Sequence, residues 1–184
     1  MGDINRQSQN VTWRHNSDRL LPLCGMLAAS IVCAAIFASA AMATPPSGVA
    51  LNIVLGRATL PPFDIQPDDS PFAIQSENLT DVVIQHVIFG PTGSTGWHTH
   101  PGPLFVTVVS GTLTLYDGDD DGCTPQTFTA GHGFVDPGFG HVHIARNEST
   151  TVPADLYASY LNVPPGGLFR LDAPNPGNCA FRGF

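Results

Sequence analysis

Positive charge and helical pattern are what this sequence lacks most. It contains no lysine, and three of its seven arginines (Arg6, Arg14 and Arg19) precede Thr44. Of its fifteen Asp and Glu residues, only Asp3 and Asp18 lie before that point, so an acidic excess remains for the rest of the chain. Such a balance excludes nucleic acid and anionic membrane surfaces as partners, because both need a basic face. It leaves small molecules open. Apolar residues at helical spacing are hard to find, and glycine and proline are scattered throughout, so helical bundles are excluded. No nucleophile elbow, phosphate loop or Ser-His-Asp ordering rises above background.

Cysteine is also scarce. Of four, Cys24 and Cys33 lie near the N-terminus, and Cys123 and Cys179 remain. An even count in an exported domain implies one disulfide, here tying a hairpin loop to the C-terminal tail. It would contribute about 3 to 4 kcal/mol. Two unpaired thiols are the alternative.

The N-terminal segment has a recognisable layout. Arg14 and Arg19 precede an uncharged apolar stretch from Leu20 to Ala41, which runs into Ala41-Met42-Ala43 and then Thr44-Pro45-Pro46. A basic flank, an apolar run and a small-x-small end make an export signal cleaved after Ala43. The run nearly reaches the roughly 20 residues of a membrane span, so an uncleaved anchor is the alternative, and membrane contact is expected only then. The expected division is therefore a signal over 1–43 and a single domain over 44–184, placed in the periplasm, at the cell surface or outside the cell. The domain is long enough to bury a core.

Within it, short apolar runs alternate with turn signals. They are Leu51–Leu55, Val82–Phe89, Leu104–Val109, Thr112–Tyr116, Gln126–Thr129, Gly133–Asp136, Val142–Arg146 and Ala154–Asn162. Gly90-Pro91-Thr92-Gly93 ends the second run, and Ser110-Gly111 reads as a two-residue hairpin turn. Pro61–Pro71 and the tail from Asp172 read as loops. Regular short strands with Gly/Pro punctuation predict an all-β sandwich or barrel.

The histidines carry the chemistry. His98 and His100 sit two apart in Trp97-His98-Thr99-His100, and alternate residues of an extended chain share a face. Leu104 has the same parity. Farther on, His141 and His143 alternate with Val142 and Ile144. Paired imidazoles are costly to bury alone, and a metal ion is an efficient partner.

These residues resemble the two motifs of the cupin superfamily. The first reads Gly93, His98, His100, Leu104, Gly111, with the leading glycine one residue closer than usual and leucine at the position of the family's glutamate. The second reads Gly131, Pro137, Gly140, His143, Asn147, with one extra residue between Pro137 and Gly140. The resemblance covers about Ile65 to Leu161. It implies a cupin-like double-stranded β-helix, or jelly-roll, barrel in which His98, His100 and His143 ligate a divalent transition metal. Fe, Mn, Zn, Ni and Cu all suit such ligands. Three neutral imidazoles leave the site at +2 where a carboxylate would leave +1, and up to three positions stay open on an octahedral ion. That favours a small anionic or chelating organic molecule, and the similar three-histidine dioxygenases lack the carboxylate too. The implied activity is a metal-dependent oxygenase or isomerase. A non-enzymatic ligand- or metal-binding barrel is the alternative, and a structural barrel without metal is a third. The expected partners are a small-molecule ligand and, in a homodimer, a second copy of the chain.

Other residues have plainer expected roles. His141 is read as a rim histidine held by backbone carbonyls, with a fourth ligand or a base at the barrel mouth as alternatives. His132 belongs in an exposed turn. His86 is a satisfied core or rim histidine. Phe105, Val108, Phe134 and Tyr116 are candidates for the pocket wall. Asp117-Gly118-Asp119-Asp120-Asp121-Gly122 opens like a calcium loop, but its twelfth position is Phe128, which cannot ligate calcium. A solvated hairpin tip is the simpler reading.

Overall fold

Along Leu104–Ser110, Leu104, Val106 and Val108 are buried while Phe105, Thr107 and Val109 face outward. In Ala154–Val163 the buried set is Ala154, Leu156, Ala158 and Tyr160, and then Val163 beyond a register shift. A two-residue period of this kind marks a strand with one face on a core. The computed structural model describes residues 42–183, without the side chain of Phe181. In chain order its strands are β1 (Ser47–Leu60), β2 (Phe63–Ile65), β3 (Ile74–Ser76), β4 (Thr80–Ser94), β5 (His98–Thr99) and β6 (Leu104–Ser110). There follow β7 (Thr112–Asp117), β8 (Gln126–Thr129), β9 (Gly133–Asp136), β10 (His143–Arg146), β11 (Ala154–Val163) and β12 (Leu171–Asp172). Among the described residues the helical element is one 3-10 turn, Ala180–Arg182. The expected export signal lies outside the described residues save for Met42 and Ala43.

The pairings are all antiparallel and build two walls. One runs β1-β4-β11-β6-β9 and the other β12-β5-β10-β7-β8. β10 joins them by setting Arg146 opposite Ser94 at the end of β4. The result is a nearly closed double-stranded β-helix, the fold the motifs implied. Inward side chains of β4, β6, β7 and β11, among them Val83, Val87, Phe89, Val106, Leu113 and Leu156, fill the barrel. A second cluster, Trp97, Tyr116 and Ile144, packs around a Cys123–Cys179 disulfide behind β5.

Four local readings are corrected. Ser110-Gly111 is not a hairpin turn, because β6 pairs with β11 and β9 whereas β7 pairs with β10 and β8. The chain crosses from one wall to the other there. Gly111, at φ +73°, lies so close to the Pro153 carbonyl that a Cβ would collide with it. Gly90–Gly93 does not end its strand but forms an irregularity inside β4, across which the β1 register jumps from Val49–Phe89 to Ser47–Ser94. Pro61–Pro71 includes β2, which pairs with β3, and the tail from Asp172 begins inside β12, which pairs with β5.

Candidate metal centre

β5 is only two residues long, yet it fixes two imidazoles. Gly96, at φ +68°, turns the chain into it against the Thr44 backbone, where a Cβ could not fit. Trp97 is fully buried under the strand, and its amide donates to Thr44 Oγ1 at 2.6 Å. With that side anchored, His98 and His100 point into the barrel and Thr99 sits between them, half-buried. β10 then sets His143 directly across from His98. The ring centroids lie 4.4 Å apart for His98–His143, 4.8 Å for His98–His100 and 5.2 Å for His100–His143. One nitrogen from each falls within 4.8 Å of the other two, and all three residues are buried.

The ring orientations follow from what each Nδ1 meets. His98 Nδ1 donates to the Gly96 carbonyl at 2.9 Å, and His100 Nδ1 donates to the Phe169 carbonyl at 2.8 Å. His143 Nδ1 lies 3.1 Å from Asp136 Oδ2, within ion-pair reach but without a hydrogen bond. A carbonyl only accepts, so Nδ1 carries the proton in His98 and His100 and Nε2 keeps its lone pair. The Nε2 of His100 is buried with no hydrogen-bond partner. Burial, then the charge of His143 and His100, holds His98 well below the usual imidazole range. Burial and His143 bring His100 down to about 4. Both stay neutral at physiological pH, the form that ligates a metal. An orphaned nitrogen among converging imidazoles fits a divalent transition ion.

Leu104 also points inward, 4% exposed, and β6 offers no carboxylate to the cluster. Opposite it on β9 stands Asp136, 1% exposed. Its Oδ1 accepts the Gly138 amide at 2.8 Å and its Oδ2 accepts His141 Nδ1 at 2.6 Å. Burial alone would raise the Asp136 carboxyl. The His141 and His143 imidazoles and the Gly138 amide outweigh that and hold it far below the usual carboxylate range. His141 Nε2 reaches Asp117 Oδ2 at 3.0 Å. The hydrogen bond to Asp136, aided by Asp117 and opposed by burial, pushes His141 up to about 9. His141 is thus a rim histidine, but two carboxylates hold it rather than backbone carbonyls. It groups with Asp136 and His143, not with His98 and His100.

A cavity of about 110 Å³ adjoins the histidines. Leu104, Val106, Leu113 and Phe134 contribute apolar wall, and His98 and His143 line it too. Its polar lining includes Tyr160, whose hydroxyl donates to Gln85 Oε1 at 2.6 Å, while Gln85 Nε2 donates to Asn52 Oδ1. Arg170 reaches it from the tail, donating to the Thr95 carbonyl at 2.6 Å and pairing with Asp172. Of the expected wall residues, Phe134 is in place. Phe105 is 41% exposed on the outer face, Val108 is buried in the core away from the cavity, and Tyr116 belongs to the cluster behind β5. A larger apolar groove lies outside the barrel beside β3, lined by Phe72, Phe105 and Val135, and holds none of the histidines.

The remaining candidates lie apart from the cluster. His86 sits on the outer face, where Asp155 Oδ1 approaches its Nε2 at 2.7 Å and Tyr157 stacks on its ring at 4.6 Å. His132 is exposed. In the Asp117–Gly122 loop, Asp120 spends its oxygens on the Gly122 and Thr124 amides, so the loop is a self-capped hairpin tip. Sequence reasoning missed Asp136, Arg170, Gln85 and Tyr160. For Asp136 a signal existed, since an acid with the inward parity of Phe134 is out of place on a barrel strand.

Among protein families, the one described as Cupin domain matches residues 85–160. No curated protein matches the sequence. Of solved structures, the chain is similar to a conserved protein with a double-stranded β-helix domain from Klebsiella pneumoniae, at 22% identity over 50% of this chain and 74% of that one, TM-score 0.40. It is similar to a cupin domain from Bordetella pertussis, at 24% identity over 56% and 92% of the two chains, TM-score 0.37. It is also similar to an oxalate oxidase in complex with the substrate analogue glycolate, at 28% identity and TM-score 0.38, over 45% of this chain and 42% of that one.

Proposed function

The chain belongs to the cupin superfamily, and from that premise we propose an exported protein that binds a divalent transition metal through His98, His100 and His143. We propose further that it acts on a small anionic or chelating organic molecule, by oxygenation or isomerisation. The observation that carries this reading is the buried, partnerless Nε2 of His100 in a cluster whose nitrogens lie within 4.8 Å of one another. A structural barrel would leave such an atom at a cost with no return.

The chain's own residues define the rest. The Gly96 and Phe169 carbonyls hold two rings in the ligating tautomer. Leu104 supplies no charge, so the ligands would leave a bound ion its full +2. A metal held there supplies a Lewis-acidic centre with open coordination positions. Arg170, its charge partly offset by Asp172, brings a guanidinium to the cavity, and the cavity is small and largely apolar. Both features favour a compact anion. The Cys123–Cys179 disulfide suits an oxidising compartment, in keeping with export.

Oxygen uptake and product analysis over small diketones and catechols, on metal-loaded protein, test the reading. Turnover that disappears in His143→Ala supports an enzyme. Tight binding without turnover reduces the protein to a capturing barrel.

A further inference from the structure

The three imidazoles are not supported alike. Behind His98 and His100 stand backbone carbonyls, whereas behind His143 stands a carboxylate whose Oδ2 is 3.1 Å from Nδ1. That carboxylate belongs to Asp136, the cross-strand partner of Leu104. Directly paired residues of neighbouring strands point to the same face, so the acid that position 104 lacks is found one strand over, behind a ligand rather than among the ligands. We propose that Asp136 is the positioning carboxylate of this metal site, orienting His143 and supplying from outside the ligand set the negative charge that Leu104 withholds. This rests on the three-histidine reading above.

The surroundings of Asp136 suit that role. The Gly138 amide and the His141 ring hold its two oxygens, and Asp117 holds His141 from the far side. Gly138, at φ +70°, packs on the Gly102 backbone where no Cβ would fit, which fixes the amide it donates. The carboxylate is thereby braced at a stated distance from one imidazole and is absent from the cavity lining. A negative charge this close to Nδ1 favours a proton on that nitrogen, which leaves Nε2 as the atom with the lone pair. It also explains how a site with no acidic ligand can hold a doubly charged ion in a low-dielectric barrel.

The test is metal affinity, measured by competition with a chromophoric chelator using Zn²⁺ and Co²⁺, in four proteins: wild type, Asp136→Asn, Leu104→Glu and the double variant. Asparagine keeps the shape and the acceptor for Gly138 but not the charge. The expected result is a loss of about 10- to 100-fold in Asp136→Asn, with a changed Co²⁺ absorption spectrum. Leu104→Glu should raise affinity more in the Asp136→Asn background than in wild type, because the new carboxylate then replaces a missing one. If Asp136→Asn does not fold, nitrogen NMR of the Zn²⁺-loaded wild type decides. His143 should be protonated at Nδ1 and ligate through Nε2. Unchanged affinity and spectrum in Asp136→Asn, or a His143 that ligates through Nδ1, overturns the proposal while leaving the metal site standing. Failure of the wild type to bind either ion overturns the underlying reading instead.

Discussion

His143 on β10 is the direct cross-strand partner of His98 on β5, with ring centroids 4.4 Å apart. Two segments distant in sequence thus meet through one backbone pairing, and antiparallel pairing puts both rings on the same face. A one-residue slip would turn His143 outward. The site therefore depends on whatever fixes the register at this edge of the barrel, and several predictions concern those supports.

Asn147 is one such support. It is fully buried, and its Nδ2 donates to the Gly90 and Val152 carbonyls at 2.9 and 2.8 Å while its Oδ1 accepts the Ser149 amide. It ties the end of β10 to the irregular end of β4. Asn147→Ala should destabilise the fold by about 2 to 4 kcal/mol, read by urea unfolding, because it strands buried carbonyls.

The disulfide is another. It anchors the tail whose Phe169 carbonyl orients His100 and whose Arg170 reaches the cavity. Replacing both Cys123 and Cys179 with serine should cost about 3 to 4 kcal/mol. Metal should also dissociate faster, which a chelator-chase experiment reads.

Arg170 is a test of ligand charge. Arg170→Gln should leave metal content unchanged and weaken a small carboxylate by roughly tenfold. Perturbation of the Co²⁺ spectrum on titration with glycolate measures this. Equal weakening of a neutral ligand of the same size would show a loss of packing instead.

Opposed pKa shifts shape the stability of the metal-free protein. His100, brought down to about 4, is neutral in the fold while the unfolded chain protonates near its ordinary value, so its contribution is present above about pH 6.5 and lost as pH falls toward 4. His98 shifts in the same direction. His141, pushed up to about 9, stabilises fully below about pH 6.5 and loses that contribution as pH rises through 9. The unfolding midpoint should therefore peak near neutral pH, and His141→Gln should flatten the alkaline arm only.

Much of the site was legible because strand parity is local. His98 and His100 two apart, and His143 alternating with Val142 and Ile144, needed only an extended backbone for their facing to be read. What escaped depends on which strand lies beside which. Ser110-Gly111 looks the same whether its flanking strands pair or part, and only the assembled walls show that they part. Asp136 gained meaning from standing across from Leu104, and Arg170 from a tail that pairs with β5. His141 was placed at the rim correctly, but its carboxylate partners lie on β7 and β9.

Elemental analysis of protein purified without added metal tests the central claim most directly. It should find about one transition-metal ion per chain, falling nearly to zero when His98 and His100 are both replaced with alanine. A wild-type protein that holds no transition metal, and takes up none on titration with Fe²⁺, Mn²⁺, Zn²⁺, Ni²⁺ or Cu²⁺, would contradict it.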